Sequence, residues 1–292
     1  MPVWNLGSIN IDNVYRLDHL PVPGETLAAL EYTQGLGGKG ANMSVAMARA
    51  AARVAHIGAV GPGGTWTTDR LMEYGVDTRH IATLADQTTG HANISVDAKG
   101  ENEIIVFSGA NQAITKDMIG AALSDAAAGD FFVLQNETSG QRYAAEMAKA
   151  LGLHVVYAAA PFDAEAVAQI LPFADILVLN EVEANQLVAA LKIELTELGV
   201  SSIVVTLGGD GCRWLDVSAG TETHMPAISV TPVDTTGAGD TFTGYLVAGL
   251  DRGMPMLQAL SLATQAGALM VTRMGTADVI PDLKDIEDAR LA

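Results

Sequence analysis

The sequence predicts an α/β protein with a largely parallel central sheet and helices on both faces. Three observations carry that prediction. Short apolar runs at 131–136, 153–158, 175–179 and 202–207 alternate with helical patterns at 139–151, 163–171 and about 181–198. Such alternation builds right-handed crossovers and a parallel sheet covered on both sides. Two glycine-rich turns, Gly35–Asn42 and Thr235–Gly239, each lead into an apolar helical pattern. Finally, 292 residues with 49% hydrophobic and only 5% aromatic side chains describe a core of Ala, Val, Leu, Ile and Met large enough for one such domain.

In chain order, Val3–Ile9 reads as a first buried strand, followed closely by Asn10 and Asp12. Residues 14–33 are mixed, with turn signals at Pro21, Pro23 and Gly24, and short strands on each side of that turn fit the pattern. An Ala-rich helix covers roughly 41–52, a strand 55–61, and a helix 66–74 ended by Gly75. Residues 91–96 and 103–107 form a hairpin pattern around Lys99-Gly100-Glu101-Asn102. The segments 14–33 and 89–109 are therefore two insertions into the α/β alternation. Ala227–Val233 reads as an extended approach to Asp234-Thr235-Thr236-Gly237-Ala238-Gly239-Asp240, with an apolar helix behind it. Residues 257–271 carry polar groups at Gln258, Ser261, Thr264 and Gln265, which suits a buried helix and not a membrane span. With no repeat and no Pro/Ser-rich linker, 1–292 reads as a single domain.

Charge and cysteine usage exclude whole classes of function. Acidic residues outnumber basic ones 34 to 16, a net charge of −18, which argues against nucleic-acid and anionic-membrane surfaces. An anionic substrate stays compatible, because screening over about 8 Å leaves local groups in control. Cys212 is the sole cysteine, so no internal disulfide forms and a reducing, cytoplasmic setting is expected. No basic segment leads into a long apolar run at the start of the sequence. Walker-type, zinc, nucleophile-elbow and dinucleotide patterns are all missing from the sequence.

The informative polar residues follow the strands: Asn10 and Asp12, Glu137, Asn180 and Glu183, and Thr206 with the Gly208–Gly211 turn. Ligands in parallel sheets collect beyond the carboxyl ends of the strands. A single residue of this kind is commonly a helix cap. For Asp240 the residues alone leave two readings open, a cap and a proton acceptor beside an anion-binding helix start.

Taken together these motifs resemble the ribokinase-like carbohydrate kinases, the PfkB family. Gly37-Gly38-Lys39-Gly40-Ala41-Asn42 matches the family's sugar-side signature, and Asp234–Asp240 its second signature. Asn180-Glu181-Val182-Glu183 resembles its Asn-x-x-Glu, and Thr206–Gly211 its nucleotide loop. The resemblance implies a three-layer sandwich with a small β-strand lid built from the two insertions. It also implies transfer of the ATP γ-phosphate to a primary hydroxyl, in first place that of D-ribose, with nucleosides, ketohexoses or other sugars as alternatives, and a catalytically silent sugar-binding member of the family as a further one. Asp240 is then the general base, and Gly237, Ala238 and Gly239 form the anion hole. Asn10, Asp12, Gly38, Lys39, Asn42 and Glu137 hold the sugar. The implied nucleotide-side residues are Asn180, Thr206, Gly208, Gly211, Gly239 and Thr264, with Glu183 for Mg²⁺. Asp234, Thr236, Arg273 and Gly275 match a K⁺ loop, and the lid implies a homodimer. The chain departs from the pattern where the ribokinase type carries Gly-Ala-Gln-x-Ser before a final Pro. Here the residues are Gly275-Thr276-Ala277-Asp278-Val279-Ile280-Pro281, so the expected hydroxyl is replaced by Val279.

Overall fold

The computed structural model describes residues 2–289. Its first third weaves between two sheets. Strand β1 (Pro2–Leu6) is followed by β2 (Asn10–Arg16) and β3 (Glu31–Gly37), then helix α1 (Lys39–Arg49) and β4 (Arg53–Val60). Next come α2 (Thr65–Glu73), β5 (Asp77–Thr83), β6 (Gly90–Val96), β7 (Asn102–Phe107) and α3 (Lys116–Leu123). The second part is regular: β8 (Phe131–Gln135), α4 (Gln141–Ala150), β9 (His154–Ala158), α5 (Ala164–Ile170), β10 (Ile176–Asn180), α6 (Glu181–Leu191) and β11 (Ser202–Thr206). It closes with β12 (Cys212–Asp216), β13 (Thr221–Met225), α7 (Ala238–Asp251), α8 (Met256–Met270) and α9 (Leu283–Ala289).

A nine-stranded sheet has the order β13-β12-β11-β10-β9-β8-β1-β4-β5. From β11 through β5 it is parallel, and β12 and β13 add an antiparallel edge. Side chains alternate across its strands and feed two cores. Val3, Val133, Val156 and Val204 face one core with α1, α7 and α8. Trp4, Phe132, Val155 and Ile203 face the other with α3, α4, α5 and α6. This alternation makes three layers, as expected of strands buried on both faces. A separate four-stranded sheet has the order β3-β2-β6-β7, with β2 and β6 parallel and the outer pairs antiparallel.

Several expectations need correction. The small sheet is wider than the insertions 14–33 and 89–109, because it also takes Asn10–Asn13 and Gln34–Gly37. Asn10 and Asp12 therefore lie in a strand of their own, and β1 stops at Leu6. Ala227–Val233 forms no strand. Pro226, just before that run, and Pro232, within it, lack the N–H that a ladder needs. The helix expected over 181–198 ends at Leu191, where Lys192 takes φ 58° and terminates it. The hairpin β12–β13, strand β5 and helix α3 were not anticipated.

Close backbone contact explains two glycines at the centre. A Cβ on Gly7 would lie 2.5 Å from Gly40 Cα, closer than packed atoms approach. The chain after β1 thereby touches the start of α1, and both enter the region where the strand ends converge.

Candidate active site

Two helix starts define the site. Gly38 (φ 94°) precedes α1 and Gly237 (φ 74°) precedes α7; both conformations favour glycine. Neither helix has a side-chain cap. The first N–H groups of a helix have no partner in a preceding turn, so those of Gly239 and Asp240 are placed to receive an anion. Ala238 differs, since its N–H reaches Thr235 O at 3.3 Å.

The two helix starts are joined by one bond: Asn42 Nδ2 donates to Asp240 Oδ2 at 2.9 Å. Asp240 is buried, and the Oδ1 atom of Asn42 is buried without a partner among the described residues. Lys39 sits among carboxylates. Asp240 foremost, then Glu137 and Glu183, hold its ammonium above the usual lysine range against the opposing effect of burial. Glu137 accepts from Ser8 Oγ and, at 3.1 Å, from the Lys39 N–H. Burial raises its pKa, and Asp240 adds to the rise. Asp12 is pushed up to about 7, first by burial and then by Glu137 and Asp240. Gly37 leaves room for its carboxylate, since any Cβ there would overlap it. One lysine beside the buried carboxylates of Asp12 and Asp240 and the half-buried ones of Glu137 and Glu183 can both donate to and accept from hydroxyl groups.

The site is supported from below by a chain of buried polar groups. Asn5 Nδ2 donates to Gly40 O and to Ser44 Oγ, both at 2.8 Å. Ser44 Oγ meets His56 Nδ1 at 2.8 Å, and His56 Nε2 meets Gly7 O at 3.1 Å. The Gly7 carbonyl requires a proton on Nε2, so Nδ1 accepts from Ser44. Full burial lowers the His56 pKa to about 4. Ser8, Ser44 and His56 were not anticipated as parts of the site. Each is an ordinary residue in sequence, and only the meeting of β1, α1 and β4 gives it meaning.

The remaining expected residues lie further along the same sheet edge. Asn180 caps α6: its Oδ1 accepts from the Glu183 N–H at 2.8 Å, and Glu183 Oε2 accepts from the Asn180 N–H at 2.8 Å. This is the reciprocal capping pair that the sequence also permits. Glu183 still feels Lys39 and Asp240, while burial is the main cause that raises its pKa. Thr206 ends β11 beside Cys212. The turn through Gly208 and Gly211 is closed by the Leu207 N–H to Gly211 O at 2.8 Å. Thr264 on α8 donates to Leu260 O at 2.9 Å and faces Cys212, which follows that loop.

Asp234 ties the two segments of the expected cation loop together. It accepts from the Thr236 N–H at 2.9 Å and from the Gly275 N–H at 3.1 Å. Arg273 turns its guanidinium to Val279 O and Asp285 instead. Among the described residues, no group of three or more His, Cys, Asp and Glu side chains is arranged to hold a metal. Among the described residues, no helix is long and apolar enough to cross a membrane.

Residues 3–283 match the family model described as pfkB family carbohydrate kinase. The chain belongs to the PfkB family. Membership makes it a ribokinase-like, ATP-dependent sugar kinase. Among its relatives, a ribokinase from Haemophilus influenzae is 35% identical, with 94% of each chain covered. A deoxyribokinase from Salmonella typhi is 30% identical over 99% of this chain and 98% of its own. The structure of an Arabidopsis thaliana ribokinase complexed with ribose and ATP superposes with a TM-score of 0.85 at 26% identity. That superposition covers 98% of this chain and 97% of the other.

Proposed function

We propose that this kinase transfers the γ-phosphate of ATP to the primary hydroxyl of D-ribose, giving D-ribose 5-phosphate. The observation that carries the reading is the cluster of buried Asp12, Asn42 and Asp240 with half-buried Lys39 and Glu137, gathered around the starts of two helices. Asn10, Asp12, Gly38, Lys39, Asn42 and Glu137 hold the sugar hydroxyls. Asp240 takes the proton from the attacking hydroxyl, whose oxygen forms the new bond to the γ-phosphorus as the bond to the ADP leaving oxygen breaks. The N–H groups around Gly237, Ala238 and Gly239 meet the charge on the transferred group, and such fixed dipoles need no reorganisation during the step. Asn180, Thr206, Gly208, Gly211 and Thr264 line the nucleotide side.

Mg²⁺ would neutralise phosphate charge. Glu183 fits it, since one carboxylate oxygen serves the helix cap and the half-buried group still faces the cluster. The potassium loop fits less well. Asp234 offers a carboxylate, but Val279 supplies an isopropyl group where an oxygen is expected, and no step is routed through that ion. The reading extends to one domain over 1–292, with lid segments about 14–33 and 89–109, and to a cytoplasmic setting that suits the buried thiol of Cys212. The apolar, exposed strand β7 supports a homodimer formed through the lid.

The test is an ADP-release assay with Mg·ATP over D-ribose, 2-deoxyribose, ketohexoses and nucleosides. D-ribose is expected to give the highest kcat/KM. Higher kcat/KM for 2-deoxyribose would move the assignment to the relative from Salmonella, and turnover with no acceptor would sink it.

A further inference from the structure

A side chain outside the residues so far given a role fixes how the sugar pocket presents its donors. Asn111 lies in the short turn Gly109–Gln112 after β7 and is 1% exposed. Its Oδ1 accepts from the Ile9 N–H at 2.9 Å. Its Nδ2 donates to Ile9 O at 3.2 Å and to Asn10 Oδ1 at 2.8 Å.

These bonds form a chain of logic that starts at the backbone. The Ile9 N–H can only donate, so the Asn111 atom facing it must be the oxygen. The other end of Asn111 is then an NH₂ group, and the atom of Asn10 it meets must be an acceptor. Asn10 Oδ1 is thereby turned toward Asn111, and the NH₂ group of Asn10 is the end left for a ligand. Asn10 shares a face of β2 with Asp12, two residues on, and Asp12 faces Glu137 and Asp240. Gly90 opposite supplies the space: any Cβ there would overlap both amides. The Asn111 backbone O also accepts from the Ser139 N–H at 3.0 Å, and Gln112 Nε2 donates to Glu137 O at 3.1 Å. The turn that carries Asn111 thus touches β2 on one side and the Glu137 loop on the other.

We propose that Asn111 is a positioning residue of the sugar pocket, locking the Asn10 amide with its donors toward the ligand so that the pocket selects an acceptor oxygen there. The inference rests on the sugar-kinase reading above. It assigns Asn111 no contact with the substrate.

The experiment is a double-mutant cycle on sugar KM, ATP KM and kcat, with melting temperatures alongside. Asn111→Asp keeps the acceptor for Ile9 but sets two acceptors against each other at Asn10, so the Asn10 amide turns over. Sugar KM is expected to rise about 10- to 100-fold, the cost of a mismatched buried polar contact, with ATP KM held within about twofold. In an Asn10→Ala background the same change is expected to leave sugar KM where Asn10→Ala alone puts it. An equal rise in both backgrounds, or a rise in ATP KM as large as that in sugar KM, would overturn the proposal. Should Asn111→Asp fail to fold, Asn10→Asp decides it. There the Asn111 NH₂ group holds one carboxylate oxygen and the ligand meets the other, so sugar KM is expected to rise at least tenfold. Retention of the unmodified KM would refute the donor assignment. A lack of turnover by the unmodified chain with every sugar is a separate result that removes the kinase reading itself.

Discussion

Replacing Asp240 by Asn preserves the size of the side chain and its contact with Asn42, while removing the atom that accepts the proton. The expected result is a kcat lower by about 10²–10⁴-fold with ATP affinity retained; near-unmodified turnover would refute the general-base role. Asp12 supplies a prediction in pH. Its folded pKa of about 7 lies above the value of 3.8 for a free carboxyl, so the folded state holds a proton that the unfolded chain has lost. Its contribution to stability is therefore present at low pH and disappears as pH rises from about 4 to 7. Asp12→Asn should raise the melting temperature of the ligand-free protein at pH 8 and leave it nearly unchanged at pH 4. His56 acts with the opposite sign. Its folded pKa of about 4 lies below 6.5, so stability falls as pH drops through that interval, when the unfolded chain gains the proton. The two effects offset each other in the unmodified protein, and Asp12→Asn should uncover the acid sensitivity of His56. At this scale the carboxylates were legible because they stand in ordered motifs. Asn111 and His56 were not, since their roles depend on backbone groups that only folding brings near.

At the scale of elements, mutation can separate the capping duty at the start of α6 from the nucleotide duty proposed for it. Asn180 caps the helix, and removing such a cap costs about 1 kcal/mol. Asn180→Ser keeps a capping oxygen and discards the amide, whereas Asn180→Ala discards both. If Asn180 serves the nucleotide, Asn180→Ser should keep the melting temperature within a degree or two and still raise ATP KM several-fold. An unchanged ATP KM in Asn180→Ser would leave the cap as its only duty. The regular β8–β11 half of the sheet was legible because each buried strand is a short apolar run with a helix behind it. The antiparallel pair β12–β13 was not, because Thr221–Met225 has mixed polarity and little burial. The segment before α7 misled for the reverse reason: Ile228, Val230 and Val233 favour strands, and the prolines beside them deny the pairing.

For the whole molecule, the small sheet offers its outer strand to solvent. Ile104, Ile105, Val106 and Phe107 are each at least half exposed, on an edge strand with no partner on its far side among the described residues. Such edges invite pairing with another chain. Sedimentation should find a dimer at micromolar concentration, and Ile105→Asp should shift it to monomer; a monomeric unmodified protein would refute the lid interface. The parallel sheet has a temporal consequence as well. β1 is a central strand, and Val3 pairs with Val54 on one side and with Phe131 on the other. During synthesis the first of these neighbours emerges early, while the second emerges only after both strands of the β6–β7 hairpin. Until then the nascent chain carries an open apolar edge at its own centre, the kind of surface on which growing chains stick to one another. From β8 onward each new strand lies beside the one made just before it, so the rest of the sheet can add in the order of translation. A chain halted before β8 is therefore expected to depend on chaperones, and a chain halted after β11 far less so.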